Sequence, residues 1–201
     1  MPQSRYRHGG LPHLDAPGHF QHIVFHLADS LPREALTSIE LELAELPHSR
    51  RKRAMARRIA ALLDAGLGSC LLADPFCARI VADTLIFGHG NRYWLHDWVI
   101  MPNHVHVLIR QGEREPLARI IQSWKRHSAR EIRRKGADIY RHAGSESAGL
   151  WQRDYWDRYI RDERHLAAVK EYIWQNPVAA GLVSSPEDWP YGSAARGDDE
   201  T

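Results

Sequence analysis

The chain lacks any apolar run long enough to cross a membrane. Its apolar stretches, such as 60–63 and the 105–109 run that His106 interrupts, fall far short of the about 20 residues that a spanning helix requires. The N-terminus, MPQSRYRHGGLPHLDAPGH, holds no apolar core or small-residue cleavage site of a secretory signal, so a cytoplasmic protein with no membrane partner is expected. Cysteine is scarce: Cys70 and Cys77 match no C-x-x-C pattern, which argues against a disulfide framework and against a cysteine zinc site. Internal repeats and low-complexity tracts are missing too. The 201 residues suit one well-packed domain.

What is present is charge sorted along the chain. The net charge of +2 hides a basic run at 50–58 (Arg50, Arg51, Lys52, Arg53, Arg57, Arg58), an acidic stretch before it and a second basic block from Arg119 to Lys135. Basic stripes suit a nucleic-acid partner, with a merely solvated face as the alternative.

Periodicity gives the elements. QHIVFHL (21–27) alternates, placing Ile23, Phe25 and Leu27 on one face and His22, Val24 and His26 on the other, as a strand does. Helical spacing follows from Arg33 to Leu46, closed by Pro47, then over 51–65, closed by Gly66. Asp74-Pro75 reads as an N-cap with proline at the first helical position, opening a helix through Phe87. RYWLHDWVI and HVHVLI, joined by Met101-Pro102-Asn103, read as a β-hairpin. A helix from Pro116 to about Lys135 collects Leu117, Ile120, Ile121, Trp124 and Ile132 on one stripe. Arg119, Arg126, Arg130 and Arg133 fall within about 60° of one another opposite it. After a Gly/Ser/Ala-rich loop (136–149) and an aromatic run, a last helix is expected from Asp162 to Gln175, ended by Asn176-Pro177.

Two constellations carry chemistry. His104 and His106, at i and i+2 on a strand, point to one side within reach of a single ion. Thirteen histidines make one such pair expected by chance, and ordinary strand histidines remain the alternative. The pair does open an otherwise apolar strand, where buried polar rings are costly without a partner. Tyr172 and Asn176, four apart, share a helix face with His165. The 1.5 Å rise separates His165 from Asn176 by about 16 Å, so the two cannot bind one ion. Two imidazoles and one amide oxygen would suit Mg²⁺ or Mn²⁺ better than a closed zinc site. A half-buried packing role is the alternative for Tyr172.

The runs HDWVIMPNHVHVLI, LARIIQSWKR, LWQRDYWDRYIRDERH and EYIWQNPVAAGLV, ending in WPY, closely resemble the REP-associated tyrosine transposases of the HUH single-strand DNA transposase superfamily, with Val105 as the bulky residue between the histidines. The resemblance is dense from about Leu85 to Ser193, and His22 with its strand resembles the family's first strand. It implies an α+β fold, a ferredoxin-like antiparallel sheet with packed helices. Residues 28–74 then read as a helical insertion within one domain over 1–193, and 194–201 as a disordered tail.

The resemblance further implies His104 and His106 as metal ligands, Asn176 completing the set, a divalent Mg²⁺ or Mn²⁺ cofactor, and Tyr172 as nucleophile. The implied reaction is cleavage and strand transfer of single-stranded, hairpin-forming DNA through a 5′-phosphotyrosine, by a monomer or homodimer. A domesticated, non-catalytic binder of structured DNA is the second reading. Tyr140, Tyr155 and Tyr159 are rival nucleophiles, none with a polar partner one turn on at the end of a helix. Candidate DNA contacts are His22, Arg119, Lys125, Arg126, Arg130 and Arg133, with His26 bordering the site. Trp124, Trp151, Trp156 and Trp174 could stack on bases or pack in the core.

Overall fold

The computed structural model describes residues 4–8, 11–135 and 149–196. Tyr140 and residues 197–201 of the expected tail lie outside them, whereas the first three residues of that tail are ordered in a 3₁₀ turn, Ser193–Arg196. Among the described residues six strands are formed: β1 (Ser4–His8), β2 (Leu11–Asp15), β3 (Phe20–His26), β4 (Tyr93–Ile100), β5 (His104–Gln111) and β6 (Trp156–Tyr159). Five α-helices accompany them: α1 (Arg33–Glu42), α2 (His48–Asp64), α3 (Pro75–Ile86), α4 (Leu117–Lys135) and α5 (Glu163–Ala179). β1 and β2 make a separate hairpin, while the main sheet is antiparallel throughout in the order β4-β5-β3-β6. From β3 onward, with α1 and α2 set aside, the chain runs β-α-β-β-α-β, the ferredoxin-like order.

Strand alternation sorts the sheet's two faces. Ile23, Phe25, Val105, Val107 and Ile109 are buried against α3 and α4 in one large core with Leu85, Ile120, Ile121 and Trp124. On β4 the alternation breaks. Leu95 pairs with Ile109 but Asp97 with Leu108, so His96 is the extra residue of a bulge. Beyond it Trp98 and Ile100 join this core, while Val99 turns to the other face. There it meets Leu108, Met101, Val169 and Ile173, the second core, on which α5 lies. Trp174 of α5 donates through Nε1 to the buried Asp97 carboxylate at 2.9 Å.

Three boundaries differ from the periodic reading. α1 stops at Glu42, since Leu43–Leu46 close a turn of their own. α2 starts at His48, because the Pro47 carbonyl accepts from Arg50 and Arg51, each at 2.9 Å. α5 runs through Pro177 to Ala179, where the proline withholds one N–H in the final turn. The α1–α2 pair has a small core of its own, Leu31, Ile59 and Leu63, backed by Trp156. Its two ends meet: the Ser69 N–H donates to the Asp29 carboxylate at 2.7 Å. Gly68, at φ +89°, allows that approach, since a Cβ there would lie 2.7 Å from the Asp29 carbonyl oxygen.

Candidate active site

Strand register assembles the histidines. His104 lies opposite His26 and His106 opposite Val24, so His22, His26, His104 and His106 share the face that α5 covers. His104 and His106 are buried, with their Nε2 atoms 2.9 Å apart. The His104 tautomer is fixed from behind. Asn103 donates its amide N–H to the Leu67 carbonyl at 2.9 Å, which turns its Oδ1 to His104 Nδ1 at 2.7 Å. The ring proton therefore sits on Nδ1, and His104 Nε2 is a bare lone pair. His106 Nδ1 lies 3.2 Å from His22 Nε2.

All four rings are held neutral. Burial is the first cause for each: it pushes His104 down to about 3, with His26 adding to the shift, and takes His106 well below its ordinary value, with His104 and His22 adding. His22 and His26 are each pushed down to about 4, again chiefly by burial.

Facing the bare nitrogen is Asp64, in the last turn of α2, whose Oδ1 stands 3.7 Å from His104 Nε2. Ligand atoms of Asp64, His104 and His106 lie within 4.8 Å of one another, so the three can hold a metal ion. The donor set fits one. Asp64 Oδ1 is a buried acceptor with no donor, as is Asn176 Oδ1 on α5. An orphaned acceptor 3.7 Å from a bare imidazole nitrogen, as Asp64 Oδ1 is, lacks only positive charge. Two ligand atoms at adjacent corners of an octahedron with bonds of about 2.1 Å sit about 3 Å apart, close to the imidazole spacing. Mixed nitrogen and oxygen donors favour a hard, six-coordinate ion. Nothing in the sequence spacing marked Asp64; it enters from a helix in the segment read as an insertion.

Tyr172 stands over this group. Its ring meets His106 edge-on, centroids 5.3 Å apart, and His22 at 6.1 Å. The residue is 41% exposed, open to a substrate. Asn176, one turn on, is buried. The phenol's pKa is raised first by burial and then by the Asp64 charge, with the Asn176 side chain acting in the opposite direction. α5 holds both residues in place through Val169 and Ile173 on the sheet, with Asp162 capping its start by accepting from the His165 N–H at 2.7 Å.

The other candidates separate from this group. His165 accepts from the Arg161 N–H at 3.3 Å, at the far end of α5. Tyr155 is buried and stacked on His13, and Tyr159 packs near His19. His22 was expected as a phosphate contact, yet its Nε2 is directed at His106. His26 is buried, turned to the Leu27 carbonyl and Ser30 hydroxyl. Lys125 does not join the arginine ridge. Its ammonium donates to the carbonyls of Gln152, Arg153 and Asp154 at 3.0, 3.3 and 2.8 Å, and burial pushes its pKa down to about 8.

The ridge itself forms. Arg126, Arg130, Arg133 and Arg134 line an open cleft of about 540 Å³, and Arg119 is exposed. Because α4 packs on the opposite face of the sheet from α5, ridge and histidines lie on opposite sides of the molecule. Of the tryptophans, Trp124 and Trp151 are core, Trp156 stacks on His26 and Trp174 is tied to Asp97.

Residues 88–176, which include both histidines, Tyr172 and Asn176, match the family model described as Transposase IS200 like. A putative REP-associated tyrosine transposase of Haemophilus influenzae is 35% identical over 104 residues, 48% of this chain and 56% of the relative. The chain is similar to the REP-associated tyrosine transposases. A REP-associated tyrosine transposase of Escherichia coli K12 is 28% identical over 104 residues, 51% of this chain and 54% of its own length. The chain thus spans about half the length of the curated relatives it matches. The solved structure of a REP-associated tyrosine transposase bound to a REP hairpin superposes with a TM-score of 0.55 at 16% identity, covering 96% of this chain and 84% of that one. The fold of that transposase structure is shared. No described helix is long and apolar enough to cross a membrane.

Proposed function

We propose that the protein cleaves and rejoins single-stranded DNA next to a hairpin, with Tyr172 as nucleophile and His104, His106, Asp64 and Asn176 as the donors that would hold Mg²⁺ or Mn²⁺. The observation that carries this reading is the exposed phenol seated edge-on against His106, with the orphaned Asp64 oxygen 3.7 Å from His104 Nε2. The Tyr172 oxygen forms a bond to phosphorus while the bond from phosphorus to the 3′ oxygen breaks. The products are a 5′-phosphotyrosine and, once that oxygen takes up the proton, a 3′-hydroxyl. A 3′-hydroxyl can reverse the attack without a nucleotide cofactor, because the phosphotyrosine conserves the broken linkage. The chemistry a divalent ion supplies there is neutralisation of charge on the phosphate oxygens. Asn176 orients the phenol, and the packing of α5 on the sheet holds the oxygen in place for in-line attack.

The relatives' description as REP-associated tyrosine transposases and the hairpin bound by the structural neighbour support a hairpin substrate. The test incubates the protein with a single-stranded hairpin oligonucleotide and Mn²⁺ or Mg²⁺, and looks for a covalent protein–DNA adduct by denaturing gel and mass spectrometry. The adduct is expected for wild type and absent for Tyr172→Phe, with hairpin affinity preserved. An adduct formed by Tyr172→Phe would move the nucleophile elsewhere. Hairpin binding by wild type without any adduct would leave a non-catalytic binder.

A further inference from the structure

Neither the nucleophile nor the ligand set uses His22, although its ring is parallel to His106 (17°, centroids 5.3 Å apart) and beside Tyr172. Two proton arrangements satisfy this row of nitrogens. In the first, His22 Nε2–H donates to His106 Nδ1, His106 Nε2–H donates to the bare His104 Nε2, and His104 Nδ1–H donates to Asn103. Every contact is then a hydrogen bond. It also caps both Nε2 atoms and leaves no lone pair on His106 for a cation. In the second, the His106 proton sits on Nδ1 and is donated to His22 Nε2, whose own proton moves to its Nδ1. His106 Nε2 is then bare beside His104 Nε2. No proton is gained or lost between the two, and both rings stay neutral.

We propose that His22 is a positioning residue, the acceptor that lets His106 carry its proton on Nδ1 and so present Nε2 as a ligand. This inference rests on the metal-site reading above. Among the described residues, the acceptor that meets His106 Nδ1 and so stabilises the second arrangement is His22 Nε2. The two hydrogen bonds of the Asn103 amide fix His104 unconditionally, whereas His106 is ready only while His22 accepts. Partners of this kind, one step removed from the ion, typically contribute 10–100-fold to metal affinity.

The test compares three variants for Mn²⁺ binding alone, without DNA, by electron paramagnetic resonance of free Mn²⁺, together with melting of the metal-free protein. His22→Phe keeps an aromatic ring but removes the acceptor, and is expected to weaken Mn²⁺ binding 10–100-fold with a cooperative melt retained. His22→Gln places an amide oxygen near the position of Nε2 and is expected to recover affinity to within a few fold of wild type. His106→Ala is expected to lose most Mn²⁺ binding. Wild-type affinity in His22→Phe, or equal losses in the Phe and Gln variants, would overturn the positioning role while leaving the metal site standing. Unchanged binding in His106→Ala would instead overturn the site on which the role rests.

Discussion

At the scale of single residues, burial of neutral imidazoles makes acid the protein's weak side. His26 is 2% exposed and its pKa is pushed from 6.5 down to about 4, chiefly by burial. The unfolded chain then binds more protons than the folded one between those values. The stability present above pH 6.5 is therefore lost as pH falls through about 4. At about 1.4 kcal/mol per unit, this residue alone accounts for on the order of 3 kcal/mol. Urea unfolding of the metal-free protein at pH 7 and at pH 4.5 should show most of that difference, about 2 kcal/mol from this residue, and His26→Asn should narrow it. An undiminished gap in the variant would assign acid sensitivity to the other rings. The histidine pair itself was legible in the sequence because a strand's period of two fixes which side chains share a face. Asp64 was not legible, because its partners are 40 residues away and a lone carboxylate in a basic helix has no pattern. His22 could be read onto the correct face but not into its contact, which depends on the register between β3 and β5.

At the scale of elements, α4 faces two ways. Arg119, Arg126, Arg130 and Arg133 point outward, while Lys125 is spent on three carbonyls that tie α4 to the approach to β6. Reversing Arg126 and Arg130 together to Glu should weaken DNA binding and lower the slope of log affinity against log salt by about 0.7 to 0.9 per lost phosphate contact, alike for cognate and unrelated hairpins. Lys125→Met should behave oppositely, costing about 1–3 kcal/mol of stability as the carbonyls lose their donor and leaving the slope unchanged. An unchanged slope in the arginine double variant would make the ridge plain solvated surface. Helices and the β4–β5 hairpin could be read from periodicity and turn residues. β1, β2 and β6 could not, since LPHLD and WDRY are too short and too polar to show a period. The bulge at His96 likewise has no signature until β5 is beside it.

On the scale of the whole molecule, the ridge and the histidine face are separated by the sheet, so a hairpin touching both must pass around an edge. The ferredoxin-like order was legible through the resemblance to the transposase family, with which the periodic elements agree, and not from element order alone, since β6 shows no period. The side from which the α1–α2 pair closes the site was not, since that depends on where the pinch at Asp29 and Ser69 aims it.

That pinch makes the α1–α2 pair a flap with its own small core on a narrow stem. Such a unit can open on its own at a lower free energy than global unfolding. Each opening takes Asp64 away and leaves His104, His106 and Tyr172 in place, so ion occupancy and closure are thermodynamically linked. A ligand that engages only the closed form protects it in proportion to its saturation. Amide hydrogen exchange over 48–64 should therefore be faster than over β3 and β5 in metal-free protein and slow selectively on adding Mn²⁺. Asp64→Ala should keep the fast exchange and lose the slowing.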